Sequence, residues 1–212
     1  TSLFKSNATA HRSEGRFFAL AQWRYPKRPE ILIAAIAALR KRGYAATLRL
    51  GGTGPMSAAI ADKVRELGLE EHVVLLGNLT QAEAADEMQR AHAFVHAADY
   101  ETYSAVCAEA LCCGTFTIAS QVGGIPEFLD ARSGALVAVN EAEAWASAIQ
   151  AVWQRAMLTE PEEIAEHMRA RCAPGPVGTR YAALLRDQLA PVMRDAGAPL
   201  PHPHRHGVVL AE

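Results

Sequence analysis

The chain has 212 residues, half of them hydrophobic and 21% charged, so it can bury a core in one or two domains. Its formal net charge of −2 and its lack of a long basic run argue against a nucleic-acid-binding protein. No apolar run reaches the roughly 18 residues that a membrane-spanning helix needs.

Short β-type runs alternate with longer helical patterns along most of the chain. Buried strands are predicted over 16–22, 46–52, 72–77, 93–97, 115–120 and 134–139. Helices are predicted over 29–43, 55–68, 81–91, 104–114 and 141–156, several with Pro at the start or Gly at the end. This alternation indicates βαβ units and a parallel sheet. With right-handed crossovers, the predicted fold is α/β: a Rossmann-like parallel sheet flanked by helices.

The remainder of the chain is predicted to be helical up to about residue 195, with a turn-rich interruption over 173–178. The tail 196–212 is rich in Pro and His and is expected to be loose. We therefore expect one Rossmann-like domain over 16–195, preceded by a short segment, 1–15.

Neither the cysteines nor the C-terminal histidines predict a metal site. Cys112 and Cys113 are neighbours in an apolar helical pattern, which is typical of buried, reduced thiols and of a cytoplasmic protein. His202, His204 and His206 could ligate an ion, but nothing in the pattern predicts a scaffold to hold them.

Ligands of open parallel sheets bind at the carboxyl ends of the strands, and three such junctions carry unusual residues. After the strand at 16–22 come three cations, Arg24, Lys27 and Arg28. After the next strand comes "GGTGP" (51–55), a glycine turn that lets backbone approach a ligand. Taken alone, the cations fit a solvated loop and the glycines fit a plain tight turn.

The third junction joins a helix N-terminus to acidic residues. The backbone N–H groups of residues 104–107 are expected to be unpaired and to bind an anion. Glu101 precedes the helix, and Glu109 lies more than a turn inside it. A carboxylate near a phosphate is unfavourable unless it accepts hydrogen bonds from another group, and hydroxyl groups are the obvious donors. A phosphate flanked by hydroxyls describes a sugar nucleotide, with the cations facing its diphosphate. Taken alone, the two acids could also be surface helix residues.

These residues together resemble the C-terminal, nucleotide-sugar-binding domain of the GT-B retaining glycosyltransferases of glycosyltransferase family 4. The pattern of that family is Glu, seven residues and Glu-Ala, followed by C-G-T-P and G-G-x-x-E. This chain has Glu101, seven residues and Glu109-Ala110, then "CGTF" (113–116) and "GGIPE" (123–127). The similarity runs from about residue 16 to residue 156 and includes "GGTGP" and "VVLLGN" in the expected order.

The resemblance implies a role for each position. Glu101, the expected catalytic residue, would contact hydroxyls of the donor sugar, and Glu109 those of the ribose. The diphosphate would bind Lys27 and the backbone amides around Ser104, Ala105 and Val106. Further expected contacts are Arg24, Arg28, Gly54 and Tyr103, with Gly77, Asn78 and Leu79 at the base.

The chain also departs from the family pattern. Ala21-Gln22 stands where Gly-Arg is usual, so the cationic clamp lacks an arginine that Arg24 or Arg28 could replace. Tyr103-Ser104 replaces Phe-Gly, which is expected to be a mild change because it keeps an aromatic residue. Phe116 replaces Pro, which concerns packing rather than chemistry.

The resemblance implies a hexosyltransferase that uses a nucleoside-diphosphate sugar without a cofactor or metal. Such enzymes have a second, N-terminal domain that binds the acceptor, so this chain would be the donor-binding half and inactive alone. Segment 1–15 would be an interdomain linker, and the full-length enzyme could associate with the cytoplasmic face of a membrane.

Two other functions stay open. One is an epimerase or hydrolase of sugar nucleotides, which would need an acid or base near Glu101. The other is a non-catalytic binding module, which the missing arginine favours.

Overall fold

A computed structural model describes residues 3–7, 10–172 and 174–195, in two units that divide after Ala170. The strands of the first unit are β1 (Arg16–Leu20), β2 (Thr47–Gly51), β3 (Val73–Gly77), β4 (Ala93–His96), β5 (Thr117–Ser120) and β6 (Gly134–Val137). The helices are α1 (Pro29–Lys41), α2 (Ser57–Glu66), α3 (Gln81–Arg90), α4 (Ala105–Cys112), α5 (Ala142–Leu158) and α6 (Pro161–Cys172). The second unit holds α7 (Pro174–Asp195).

All six strands form one parallel sheet in the order β3-β2-β1-β4-β5-β6. The chain starts in the centre of the sheet, moves outward to β3 and then returns to the other side of β1 as β4. The order therefore reverses between β1 and β4, where a crevice opens at the carboxyl ends of the strands. The predicted Rossmann-like fold is confirmed.

The core lies between the sheet and the helices that cover it. Phe17 and Phe18 of β1 and Phe94 of β4 are buried, as expected of central strands covered on both faces. Helix α1 packs against α5 and α2, while α3 packs against α4. The central strands are consequently fixed in register, and this fixes the points at which the loops leave their carboxyl ends.

The described part of segment 1–15 packs onto the sheet unit. The Phe4 side chain is buried. The Arg12 guanidinium donates hydrogen bonds to the carbonyl oxygens of Ala156 at 3.2 Å and Thr159 at 3.1 Å. These contacts tie the segment to the end of α5.

The predicted turn-rich interruption over 173–178 is wrong for 174–178, because α7 begins at Pro174. Pro174 and Pro176 both fall in the first turn, where backbone N–H groups have no intrahelical acceptor and a missing N–H costs little. The predicted loose tail over 196–212, with its three histidines, lies outside the described residues.

Within the described ranges, no helix is long and apolar enough to cross a bilayer. All four cysteines lie in the described part of the chain, and no disulfide joins any of them. Cys107, Cys112 and Cys113 are buried, as predicted for the last two. Burial raises the pKa of Cys113 to about 12.

Candidate functional site

A cleft of about 780 Å³ lies at the crevice between β1 and β4. Its wall combines the segments that follow β1, β2, β3 and β4, together with the first turns of α4. Ten predicted site residues line it: Arg24, Lys27, Gly54, Asn78, Leu79, Glu101, Ser104, Ala105, Val106 and Glu109. Residues from four separate loops thus meet at one edge of the sheet.

Three predicted residues do not line the cleft. Arg28 forms ion pairs with Glu30 at 2.5 Å and with Asp99 at 2.7 Å. The Tyr103 ring packs on Phe128, with ring centroids 5.0 Å apart. Gly77 ends β3, and its carbonyl accepts a hydrogen bond from Gly52 at 2.7 Å. Arg28 therefore links the loop after β1 to the loop after β4 beside the cleft.

The loop after β1 is joined to the loop after β4 by backbone hydrogen bonds. Arg28 N–H donates to the Ala97 carbonyl at 3.0 Å, and Asp99 N–H donates to the Pro26 carbonyl at 2.9 Å. This pairing brings Lys27 next to Glu101, although the two residues are 74 positions apart in the sequence.

The glycine pair of "GGIPE" holds the loop that carries Glu101. Gly123 has a φ of 54°, and a Cβ atom there would lie 1.5 Å from the Glu101 carbonyl oxygen. Gly124 N–H donates to the Thr102 carbonyl at 2.9 Å. Only glycine permits this approach, which explains why the motif belongs to the site without lining the cleft.

Helix α4 begins at the cleft in an unusual conformation. Ser104, the residue before it, has a φ of 66° and a ψ of 75°, and its side chain does not cap the helix. The amides of Ala105 and Val106 donate no hydrogen bond in the described part of the chain. The amide of Cys107, expected to be unpaired, instead donates to the Ser104 carbonyl at 3.1 Å. The amide of Ser104 likewise donates no hydrogen bond within the described residues, so the helix start offers three amides, not four, beside the N-terminal end of its dipole.

Glu101 is the most strongly bonded side chain of the cleft. One carboxylate oxygen, Oε2, accepts from Lys27 Nζ and lies 3.1 Å from His96 Nε2. The hydrogen bond with His96, reinforced by Lys27, lowers the pKa of Glu101 to about 2, although burial opposes the shift. Glu101 is therefore ionised at neutral pH.

Glu109 has the opposite environment. It lies inside α4, lines the cleft, and forms no ion pair or side-chain hydrogen bond with the described residues. Burial raises the pKa of Glu109. A partly buried carboxylate without a protein donor is suited to accept hydrogen bonds from a ligand.

Two basic side chains line the cleft, and they differ in their partners. Lys27 is paired with Glu101, but an ammonium group has three N–H donors and can also reach a second acceptor. Arg24 is exposed and forms no side-chain ion pair among the residues that the structure describes. Gln22, at the position of the missing arginine, also lines the cleft.

Sequence reasoning missed His96, the last residue of β4. Its ring is only 2% exposed, and burial lowers the pKa of its imidazole. The available signal was a polar residue at the carboxyl end of an otherwise apolar strand, five positions before Glu101. Gly52 and Thr53 of the glycine turn also line the cleft.

Among the described residues, no group of three or more His, Cys, Asp or Glu side chains is placed to hold a metal ion.

The family profile described as "Glycosyl transferases group 1" matches residues 4–171. The chain is 32% identical over 132 residues to the D-inositol 3-phosphate glycosyltransferase of Pseudarthrobacter chlorophenolicus, covering 60% of this chain and 31% of that protein. The first three curated relatives are matched over only 23% to 37% of their own length.

Solved structures share the fold. The sucrose-phosphate synthase of Thermosynechococcus elongatus superposes with a TM-score of 0.74 at 25% identity, over 90% of this chain and 51% of that one. The Anabaena protein HepE, solved in complex with UDP-glucose, gives a TM-score of 0.70 at 20% identity, over 82% of this chain and 49% of that one.

Proposed function

This chain belongs to the glycosyl transferases group 1 family, and from that membership we propose that it is the donor-binding half of a retaining glycosyltransferase. Its donor would be a nucleoside-diphosphate sugar, and its full enzyme would carry a second, acceptor-binding domain. The observation that carries the proposal is the placement of Glu101 and Glu109 on either side of the α4 N-terminus in one cleft.

Each part of the cleft suits one part of such a donor. The amides of Ala105 and Val106 and the positive end of the α4 dipole suit a diphosphate. The unpaired carboxylate of Glu109 suits the hydroxyls of the ribose, and Glu101 suits those of the sugar. Asn78 and Leu79, at the end of β3, border the space left for the base.

The departing diphosphate would be stabilised by cations and amides that are already in place. Lys27 can donate to the diphosphate while keeping its bond to Glu101, since its ammonium group has three donors. Arg24 is the better replacement for the missing family arginine, because Arg28 is held by Glu30 and Asp99 outside the cleft. Preorganised donors of this kind act without reorganisation during the reaction.

Calorimetric titration of residues 1–212 with UDP, GDP and ADP tests the donor site. We expect one of the three to bind more tightly than the others and more tightly than its nucleoside. Glu109→Gln should weaken that binding, whereas Glu70→Gln, an exposed residue before the amino end of β3, should leave it unchanged. No binding of any of the three would contradict the proposal and favour a scaffold protein.

The non-catalytic binding module is the second candidate, and Gln22 in place of the family arginine favours it. A binding module and a donor-binding half would both bind a nucleotide, and only a test of sugar transfer by the complete protein can tell them apart. Nucleotide binding that persists, without transfer, when an acceptor-binding domain is joined ahead of residue 1 would support the module.

A further inference from the structure

The two oxygens of the Glu101 carboxylate have different surroundings. Both protein donors, His96 Nε2 and Lys27 Nζ, contact Oε2. Oε1 accepts no hydrogen bond from any described residue, although Glu101 lines the cleft. One oxygen is thus held by the protein, and the other is left for a ligand.

The His96 ring cannot easily turn away from Glu101. His96 ends β4 and is paired in the sheet with Ala119 of β5. Its ring lies nearly parallel to that of Phe94, with 13° between the planes and 6.4 Å between the centroids. Because the ring is buried and its residue is in the sheet, Nε2 has one fixed direction.

The proton of the His96 imidazole must lie on Nε2. An ionised carboxylate can only accept a hydrogen bond, so the 3.1 Å contact requires an N–H at Nε2. Among the described residues, two charged groups act on this ring, Glu101 and Lys27, and the same two groups act on the buried thiol of Cys107 in α4. Burial and Lys27 both disfavour a charged imidazole, and Glu101 alone favours it, so the pKa of His96 is lowered and the ring stays neutral.

We propose that His96 is a positioning residue that fixes Glu101 through Oε2 and so presents Oε1 to the hydroxyls of the donor sugar. The sugar contact rests on the proposed function, whereas the hold on Glu101 does not. Lys27 alone would hold the carboxylate less rigidly, because its side chain is flexible and would be shared with the diphosphate, whereas the His96 ring is buried at the end of a sheet strand. His96 keeps the carboxylate in place while Lys27 divides its bonds between two acceptors.

The ligand-free protein provides the first test. The ¹⁵N chemical shifts of the imidazole should show the neutral tautomer with its proton on Nε2. The ¹³C shift of the Glu101 carboxyl should titrate about one pH unit higher in His96→Leu than in the wild type. In His96→Gln, whose amide nitrogen can replace Nε2 as donor, the titration should return toward the wild-type position.

His92 provides the matched control. It is also buried beside β4, but it bonds Gly15 N–H and the Trp153 carbonyl, away from the cleft. His92→Gln should leave the Glu101 titration unchanged. A proton on Nδ1 in the wild type, or equal titrations in the wild type and His96→Leu, would overturn the proposal. The tautomer is read on the wild type, so it decides the question even if His96→Leu fails to fold.

Binding of UDP and UDP-glucose provides the second test. His96→Leu should reduce the affinity for UDP-glucose relative to that for UDP by about tenfold, with UDP itself little changed. An equal loss for both ligands would show that His96 only supports the fold of the cleft. If the wild type binds none of UDP, GDP and ADP, the proposed function fails, and the ligand-free titration still decides whether His96 holds Glu101.

Discussion

At the scale of single residues, the two glutamates of the cleft are opposites. Glu101 is surrounded by donors, which lower its pKa to about 2. Glu109 has no donor among the described residues, and burial raises its pKa. The first carboxylate is stabilised by the protein before any ligand arrives, while the second is stabilised only when a ligand supplies hydroxyl groups.

Glu109→Gln is predicted to stabilise the fold and to weaken nucleotide binding. A group whose folded pKa is raised stabilises the fold fully only below its unfolded pKa, and this contribution is lost as pH rises through the folded value. At pH 7 the buried charge of Glu109 costs stability, and the neutral amide of glutamine has no such cost. Denaturant unfolding should therefore show a more stable variant. Nucleotide affinity should fall by about 1–3 kcal/mol, because the amide removes the negative charge and replaces one of the two acceptor oxygens with a donor.

The stability gain should disappear below the unfolded pKa, where the wild-type carboxyl is also protonated. An unchanged nucleotide affinity in Glu109→Gln would remove its assignment to the ribose.

Glu101→Gln is predicted to destabilise the fold at neutral pH, the opposite of the effect of Glu109→Gln. Glu101 titrates near 4.5 when unperturbed and near 2 in the fold, so its pairing stabilises the fold above about pH 4.5. That contribution, at most about 3 kcal/mol, is lost as pH falls from 4.5 toward 2. Urea unfolding of the wild type and the variant at a series of pH values should give curves that converge in this window. Parallel curves would show that the pairing adds nothing.

Lys27→Met is predicted to weaken nucleoside diphosphates more than nucleosides. The substitution keeps the length of the side chain and removes its charge, so the loss should be largest where phosphates are present. Added salt should narrow the difference between wild type and variant, because it screens the wild-type attraction. Lys41→Met, at the exposed end of α1, serves as control. Equal losses for nucleoside and diphosphate would show that Lys27 only shapes its loop.

At the scale of elements, the start of α4 is strained in a way that the sequence conceals. Ser104 replaces the glycine that is usual in the family and was expected to be a mild change. Its φ of 66° lies in the left-handed region that glycine favours. A serine in this conformation is strained, whereas a glycine would not be.

Ser104→Gly is predicted to stabilise the protein by about 1 kcal/mol, since glycine enters the left-handed region without the Cβ clash. Ser104→Ala, which also removes the buried hydroxyl but keeps the Cβ atom, should be less stable than Ser104→Gly. Chemical denaturation of the three proteins measures both effects. A variant Ser104→Gly that is no more stable than Ser104→Ala would contradict the strain at this position.

At the scale of the whole molecule, residues 1–212 are predicted to bind a nucleotide but to transfer no sugar. In enzymes of two such domains, holding the acceptor against the donor can supply roughly 7–11 kcal/mol, and a donor domain alone has no acceptor to hold. Transfer of labelled sugar should become measurable when an acceptor-binding domain is joined ahead of residue 1. Robust transfer by residues 1–212 alone would contradict the donor-half proposal.

In that joined protein, Glu101→Gln provides the control for authentic transfer. It should abolish the gain in labelled product while leaving the Glu109-dependent binding of the nucleotide in place.

The sequence alone determined the alternating strands and helices, the parallel sheet and the edge of the sheet at which the cleft lies. These features depend on local periodicity and on Pro and Gly at element ends, which each segment carries by itself. The predicted strand over 93–97 and the helix over 104–114 correspond closely to β4 and α4. The motif spacing also located Glu101, Glu109 and the α4 N-terminus together in one cleft.

The tertiary structure alone decided how these residues are bonded. Lys27, His96 and Glu101 meet because the loops after β1 and β4 are paired across the reversal of strand order, a contact that no local pattern encodes. It also decided that Arg28 pairs with Glu30 and Asp99 outside the lining of the cleft, and that among the described residues Glu101 is paired and Glu109 is not. Ion pairing, burial and pKa depend on the distances between segments that are far apart in the chain, and only the packed fold sets those distances.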